Sequence, residues 1–372
     1  MKKKIAIVVN SSWHAWNMRF NLAFAIQKCG YKVIFITPED KYSQKIKKFF
    51  NFKEIKLNAR TINPIDDLLL LLRFVKIYKN LNPDVILHYT IKPNIYGTLA
   101  AKILKIPVIN NINGLGTIFI KESFLSKIVK ILYKISLKNS DKIFFQNKSD
   151  FKIFVNAKIV KKDKSEVLPG SGVDTKKFKP MEKEISKKFI FLLVSRMLWP
   201  KGIQEFIDAA KIVNKKDKSI EFHLLGHLDV ESPMSVSKKQ MNSLVNGEYI
   251  KYLGSSDDVR QQISQSDCVI LPSYYREGVP RVLLESASMA KPIITTFNAG
   301  CEDVVDNGIN GYLCRIKDPI DLADKMIKIF NLSEDQRLNM GKLGRKKILN
   351  EFDESIVINK YLDLIKDFTS LR

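Results

Sequence analysis

The 372-residue sequence predicts an α/β protein built as two Rossmann-like domains in tandem. Short β-rich apolar runs alternate with longer helical patterns, and the series starts afresh halfway along the chain. Between the two series lies Val167 to Asp174, reading VLPGSGVD, whose proline and two glycines suit a linker or hinge. At this length a single core usually divides, and a composition 45% hydrophobic and 27% charged is that of a globular chain.

In the first half the strand candidates are residues 5–9, 32–36, 85–88, 108–111 and 142–146. Helical patterns at 18–28, 67–80, 95–104 and 124–137 separate them, the order of a parallel sheet covered on both faces. Residues 189–194, 221–225, 250–252, 268–271 and 292–295 begin the second series, with a helix from Ile203. The expected domains are 1–166 and 167–354, with a C-terminal helix at 355–372 that packs back on the first domain. Open α/β domains bind ligands at the C-terminal ends of their strands, so two of them would enclose a shared cleft.

The formal charge of +23 is unevenly placed. The first 166 residues hold 31 basic and 11 acidic residues, and the remaining 206 hold 31 and 28. What the first half lacks is acid, which fits an anionic partner there, either nucleic acid or an anionic membrane surface. The four cysteines, Cys29, Cys268, Cys301 and Cys314, have no CxxC spacing and there are only four histidines, so neither a zinc site nor a disulfide framework is expected; a reducing cytoplasm fits. The lysines before residues 5–9 imitate a leader, but the apolar run is short and ends in Asn10, Ser11 and Ser12, as a buried first strand would. No apolar stretch is long enough to span a bilayer.

Two clusters carry chemistry. Residues 274–285 read YYREGVPRVLLE after the strand 268–271, and Pro280 opens a helix there. Backbone N–H groups around the span Gly278 to Arg281 would face an anion, while Glu277 and Glu285 could each accept hydrogen bonds from hydroxyls of one extended ligand. Residues 194–202, VSRMLWPKG, follow the first strand of the second half, and Arg196 and Lys201 bracket the loop into the next helix. Both cations can there reach a diphosphate.

These residues resemble the donor site of family 4 glycosyltransferases of the two-domain GT-B fold. Glu277 and Glu285 match that family's E-x7-E motif, and Ser195-Arg-Met with Lys201-Gly202 its diphosphate loop. Gln146-Asn147, residues 168–174 with Phe178 and Pro180, residues 223–226, Tyr252-Leu-Gly254 and residues 308–312 resemble further recurring segments. Residues 88–97 (HYTIKPNIYG) and 111–116 (NINGLG), with the Leu198-Trp199-x-Lys201-Gly202 segment, are similar to bacterial capsule and N-glycan enzymes that extend undecaprenyl-diphosphate-linked sugars. Two departures stand out: residues 10–14 read NSSWH where many relatives have a glycine-rich loop, and Asn113-Gly114 stand where many have a histidine. Acceptor-side catalysis by a histidine is therefore not expected.

The resemblance implies a retaining transfer from a UDP-sugar, with N-acetylgalactosamine or another N-acetylhexosamine as the expected sugar. It implies no cofactor and no metal. No D-x-D motif is suitably placed, since Asp257 and Asp258 are adjacent and follow a turn. Arg196, Lys201 and Glu277 are the expected catalytic residues, and Glu285, Gly278, Val279, Pro280, Tyr252 and Leu253 the expected nucleotide contacts. His14, Asn17, Arg19, Lys92, Asn94 and Asn113 follow predicted strands of the first half and are the expected acceptor contacts, although Asn17 and Asn94 could instead cap helices. The expected partners are the UDP-sugar, the lipid-linked saccharide and an anionic inner-membrane surface, not nucleic acid, with a peripheral position on the cytoplasmic face. A sugar-nucleotide epimerase on the same architecture is the alternative enzyme. Residues 123–138 place Lys127, Lys130, Lys134 and Lys138 beside Phe124, Leu125, Ile128, Ile131, Leu132 and Ile135, a basic amphipathic helix suited to a bilayer surface or to covering the sheet.

Overall fold

The structure is a computed structural model that describes residues 2–58, 63–115, 124–184, 188–228, 232–245 and 248–370. Two compact units are present: unit 1 comprises Met1–Ser171 and Ser355–Arg372, and unit 2 is Gly172–Glu354. The division falls five residues beyond the expected boundary at 166, because residues 165–167 pair into the sheet of unit 1.

Unit 1 holds a seven-stranded parallel sheet. Its strands are β1 (Lys4–Val8), β2 (Lys32–Thr37), β3 (Asn51–Glu54), β4 (Val85–Tyr89), β5 (Val108–Ile112), β6 (Lys142–Phe145) and β7 (Ser165–Val167), ordered β3-β2-β1-β4-β5-β6-β7. The edge strands β3 and β7 escape sequence patterning because they are short and carry no continuous apolar run. The central strands are buried almost throughout because both faces are covered, and the polar residues buried in them, His88, Asn110 and Asn111, stand toward their C-terminal ends. On one face Ile5, Ile7, Val33, Phe35, Leu87 and Phe144 pack against α1 (Ser12–Lys28) and the C-terminal α13 (Glu354–Ser370). The alternate residues meet α3 (Pro64–Leu81) and α4 (Thr98–Ile103), and further along the same face α5 (Phe124–Leu137) and α6 (Lys148–Asn156). A short α2 (Ser43–Lys47) precedes β3.

Local chemistry sets the helix ends. Ser11 caps α1 by accepting from the His14 amide, so the helix starts six residues before the expected residue 18. Asn63 caps α3, Pro64 takes its first position, and Asp66 and Asp67 occupy the first turn, where the helix dipole favours carboxylates. The helix expected at 95–104 is a π turn, Pro93–Gly97, running into α4. Gly97 is required there because a Cβ would lie 2.6 Å from the His88 Nε2. Val357, Tyr361 and Ile365, spaced by one helical turn each, seat α13 in the unit 1 core, and the Lys360–Glu166 ion pair adds to it at the surface. Each fully buried large apolar side chain of this kind contributes roughly 1.5–3 kcal/mol.

Unit 2 repeats the plan with six parallel strands: β8 (Phe189–Val194), β9 (Ile220–Leu225), β10 (Ile250–Tyr252), β11 (Cys268–Leu271), β12 (Ile293–Thr296) and β13 (Gly311–Cys314). The order is β10-β9-β8-β11-β12-β13. Its helices are α7 (Ile203–Asn214), α8 (Lys238–Leu244), α9 (Arg260–Gln265), α10 (Arg281–Ser288), α11 (Pro319–Asn331) and α12 (Glu334–Lys347). In each unit the order reverses beside the first strand: β1 lies between β2 and β4, and β8 between β9 and β11. Loops leaving the C-terminal ends of such strand pairs are where ligands of open α/β sheets sit. Among the described residues no helix is long and apolar enough to cross a membrane.

Candidate active site

In unit 2 the loops after β8 and β11 leave neighbouring strands, and that adjacency joins residues 76 positions apart. A 3-10 turn, Trp199–Lys201, ends the first loop. Gly202 follows at φ +81°, and a Cβ there would meet the Pro272 carbonyl oxygen at 2.2 Å, so only glycine lets the two loops approach this closely. The Pro200 carbonyl oxygen accepts from the amides of Tyr274 (2.9 Å) and Tyr275 (3.0 Å), fastening the second loop to the first. The Lys201 ammonium then pairs with Glu277 Oε1, and both side chains are about nine-tenths buried.

Lys201 Nζ also lies 5.2 Å from the centroid of the Tyr275 ring, a cation–π distance. The Ser273 hydroxyl is 3.2 Å from Glu277 Oε1 and 3.3 Å from the Pro200 carbonyl oxygen. Asn298 Nδ2 donates to the carbonyls of Ser273 (3.2 Å) and Tyr275 (2.7 Å) and holds the loop from the β12 side. Pro200, Ser273, Tyr275 and Asn298 carry no catalytic pattern in the sequence. The signal that could have found them is their place in or beside loops that leave adjacent strands.

Glu285 sits in the second turn of α10 and pairs with Arg281 Nε at 2.8 Å. Burial pushes its carboxyl above the usual value, and the Arg281 guanidinium opposes that rise. Pro280 stands at the cap position of α10 rather than inside its first turn, and Gly278 and Val279 are buried just before it. Arg196 is exposed, with no ion-pair partner among the described residues. Its charge reaches the Tyr275 phenol, lowering a pKa that burial and Glu277 raise. The Tyr252 hydroxyl donates to the Gly226 carbonyl at 2.6 Å, while Leu253 is largely exposed.

Unit 1 treats its expected acceptor residues differently. His14 lies in the first turn of α1, and its Nε2 is 3.4 Å from Asn113 Nδ2, so two predicted contacts meet at the ends of β1 and β5. Asn17 donates to the Trp13 carbonyl from within α1, and the capping role considered for it belongs to Ser11. Lys92 pairs with Asp67 at 2.8 Å, and the Tyr96 hydroxyl donates to the same carboxylate. Lys92 also lines a cavity of about 300 Å³ with Lys56, Asp66 and Arg73.

Asn94 and Arg19 do not line a wall, which corrects the reading of their position in the sequence. Asn94 is 1% exposed; its amide donates to the Asn111 carbonyl and accepts from Asn110. It sits inside the π turn and caps no helix. Arg19 is 2% exposed, with its guanidinium 3.9 Å from the Tyr89 ring centroid. Asn94, in the π turn, finds its partners on β5, as buried polar groups usually do, whereas Arg19, on α1, buries Nε and Nη2 without a hydrogen-bond partner among the described residues and rests its guanidinium on the Tyr89 ring. His88 belongs to the same interior: burial lowers its pKa to about 3, so a neutral imidazole lies between the Tyr78 hydroxyl and Thr98. Gly116 and Ser123 of the predicted motifs fall outside the described residues.

Two Rossmann-like units, with a paired lysine and glutamate at the strand ends of the second, define a protein of the GT-B class. Residues 174–347 match the family model of group 1 glycosyl transferases, and residues 4–147 match that of the 4-like glycosyl transferases. The chain belongs to this glycosyltransferase family.

It is 31% identical to the N,N'-diacetylbacillosaminyl-diphospho-undecaprenol alpha-1,3-N-acetylgalactosaminyltransferase of Campylobacter jejuni, over 97% of this chain and 98% of that protein. It is 29% identical to the UDP-Gal:alpha-D-GlcNAc-diphosphoundecaprenol alpha-1,3-galactosyltransferase of Escherichia coli, over 83% and 81%. A solved glycosyltransferase of Rickettsia africae superposes with a TM-score of 0.82 at 21% identity, covering 99% of both chains. Anabaena HepE in complex with UDP-glucose superposes with a TM-score of 0.79 at 16% identity, covering 98% of this chain and 99% of that one.

Proposed function

We propose that this protein is a retaining glycosyltransferase that moves an N-acetylhexosamine, N-acetylgalactosamine first among them, from a UDP-sugar to an undecaprenyl-diphosphate-linked saccharide in bacterial glycan assembly. The observation that carries the reading is the buried Lys201–Glu277 pair at the strand-order reversal of unit 2. The likeness to the C. jejuni enzyme over nearly the full length of both chains supports the choice of sugar and acceptor.

As the sugar–oxygen bond breaks, negative charge develops on the departing diphosphate. Lys201 and Arg196 supply positive charge for it, joined by the backbone N–H groups of Gly278, Val279 and Arg281 about Pro280, without a metal ion. Glu277 accepts hydrogen bonds from hydroxyls of the donor sugar, and Glu285 from those of the ribose. Tyr252 ends β10 and Leu253 follows it, on the nucleotide side. Lys201 and Glu277 are already each other's counter-charge, so their burial does not await substrate. Retention follows when the departing phosphate takes the acceptor proton and the acceptor oxygen arrives on the same face of the sugar.

His14, Asn113 and Lys92 present acceptor-side polar groups on unit 1. The basic helix α5 gives that unit a contact with the anionic cytoplasmic face of the inner membrane. The experiment is a panel of UDP-sugars against an undecaprenyl-diphosphate monosaccharide, with EDTA present and product anomericity read by NMR. An α-linked product from UDP-N-acetylgalactosamine is expected. An inverted anomer, a metal requirement, or an epimer formed from the UDP-sugar alone would overturn the reading.

A further inference from the structure

The membrane contact just described involves one helix, but the solvent side of unit 1 is apolar over three. On α3, Leu70, Phe74, Ile77 and Tyr78 fill the core. The opposite stripe is apolar as well: Ile65, Leu68, Leu69 and Leu72 are 69%, 58%, 42% and 56% exposed, at the i, i+3, i+4, i+7 spacing of one helix face. On α4, Ile103 is 62% exposed between the exposed Lys102 and Lys105. On α5, Phe124, Ile128, Ile131 and Ile135 repeat the stripe, at 81%, 38%, 58% and 53%.

These helices cover the same face of the sheet, and α4 packs against both α3 and α5. Single exposed apolar residues are ordinary, but a patch built from nine on one helical layer marks a surface that something covers. We propose that the outer surface of α3, α4 and α5 is a docking face for an anionic lipid bilayer, with α3 as its second apolar ridge.

Charge selects the occupant. Lys76 and Lys79 continue the exposed stripe of α3, and Lys127, Lys134 and Lys138 flank that of α5. Within the three helices the only acids are Asp66 and Asp67, at the start of α3. A second copy of the chain would set lysines against lysines, and a nucleic acid would engage the lysines while leaving the leucines and isoleucines in water. A bilayer with anionic headgroups takes both, because the apolar side chains enter the acyl boundary while lysine stems reach back to the headgroups. The purpose of the face rests on the proposed lipid-linked acceptor; the argument for the face rests on exposure and charge.

The test is flotation of the full chain with vesicles of 70% phosphatidylcholine and 30% phosphatidylglycerol, beside vesicles of phosphatidylcholine alone. Leu68→Glu with Leu72→Glu alters two exposed side chains and should weaken binding to the anionic vesicles at least tenfold. Lys127→Glu with Lys134→Glu should do the same. Circular dichroism, and turnover on a water-soluble acceptor with a short lipid, should remain at wild-type values in both. Unchanged vesicle binding in the α3 variant overturns the proposal. So does a dimer seen by sedimentation that the α3 variant abolishes, which would assign the face to a second copy. A wild-type chain that floats with anionic vesicles yet transfers no sugar would uphold the face and break the acceptor reading.

Discussion

The two units share one architecture but treat the C-terminal ends of their central strands in opposite ways. In unit 2 those ends carry opposite charges held in contact: Lys201 with Glu277, and Arg281 with Glu285. In unit 1 they carry neutral amides and hydroxyls, where Asn94, Asn110, Asn111, Gln146 and Ser140 bond one another. An ion pair is a reservoir of charge that a diphosphate and a sugar can draw on, because each partner has hydrogen-bonding capacity beyond the other. A closed amide network fixes strand ends and has little capacity to spare. Thus the overall charge and the proposed working charge lie in different units: unit 1 is the basic one, yet the buried cation and carboxylate of the proposed donor site belong to the nearly neutral unit 2.

Five substitutions test that contrast. Lys201→Ala removes the cation proposed to face the diphosphate and breaks the ion pair with Glu277; kcat/KM should fall on the order of 10²- to 10³-fold. Arg196→Ala, at an exposed position, should act in the same direction with no loss of stability. Near-normal turnover in both variants would remove the assignment. Next in size, Gly202→Ala forces an L-residue to φ +81° with its Cβ against the Pro272 carbonyl; unfolding of unit 2 should be easier by roughly 2–4 kcal/mol, read by urea denaturation.

Asn94→Ala probes the closed network of unit 1. It leaves the Asn110 amide and the Asn111 carbonyl short of a partner, costing roughly 1–3 kcal/mol of stability. The KM for acceptor should not change in folded protein; a raised KM at unaltered stability would return Asn94 to the acceptor wall.

The smallest effect is a pH dependence at Glu285. Its folded carboxyl titrates above the unfolded one, so its stabilising contribution is full below the unfolded pKa and is lost as pH rises through the folded value. If Glu285 holds the ribose as proposed, the hydroxyls favour its ionised form, so UDP binding should release a proton and affinity should rise with pH through that same raised window. The slope is bounded at about tenfold per pH unit. Calorimetry of UDP binding should show the slope in wild type and its absence in Glu285→Gln.

Much of this was legible in the sequence for a definite reason. Strands buried on both faces need apolar runs, so β8 and β11 stand at their expected residues, and the short edge strand β10 was found at its own although only Ile250 of its three residues is buried. The edge strands β3, β7 and β13 were not legible, because a short or half-exposed strand needs no such run. The start of α1 was hidden for a related reason: Ser11, His14 and Asn17 resemble a polar loop unless Ser11 is seen to cap. Glu277, Glu285 and Lys201 were found from their local spacing, whereas Pro200 and Asn298 act through backbone bonds that leave no residue-type signature.

What the sequence by itself determined are the properties carried within a few residues or summed along the chain: the βα alternation, the order of the motifs, and a charge surplus made by missing acids. Tertiary structure decided which of these groups meet and which are enclosed. It paired Lys201 with Glu277 across 76 positions, brought Tyr361 of α13 to Asn111 of β5, and buried Arg19 and Asn94 among the strand ends of unit 1. The physical reason is that periodicity and capping are local forces, while ion pairing and burial depend on which strands the crossovers place side by side.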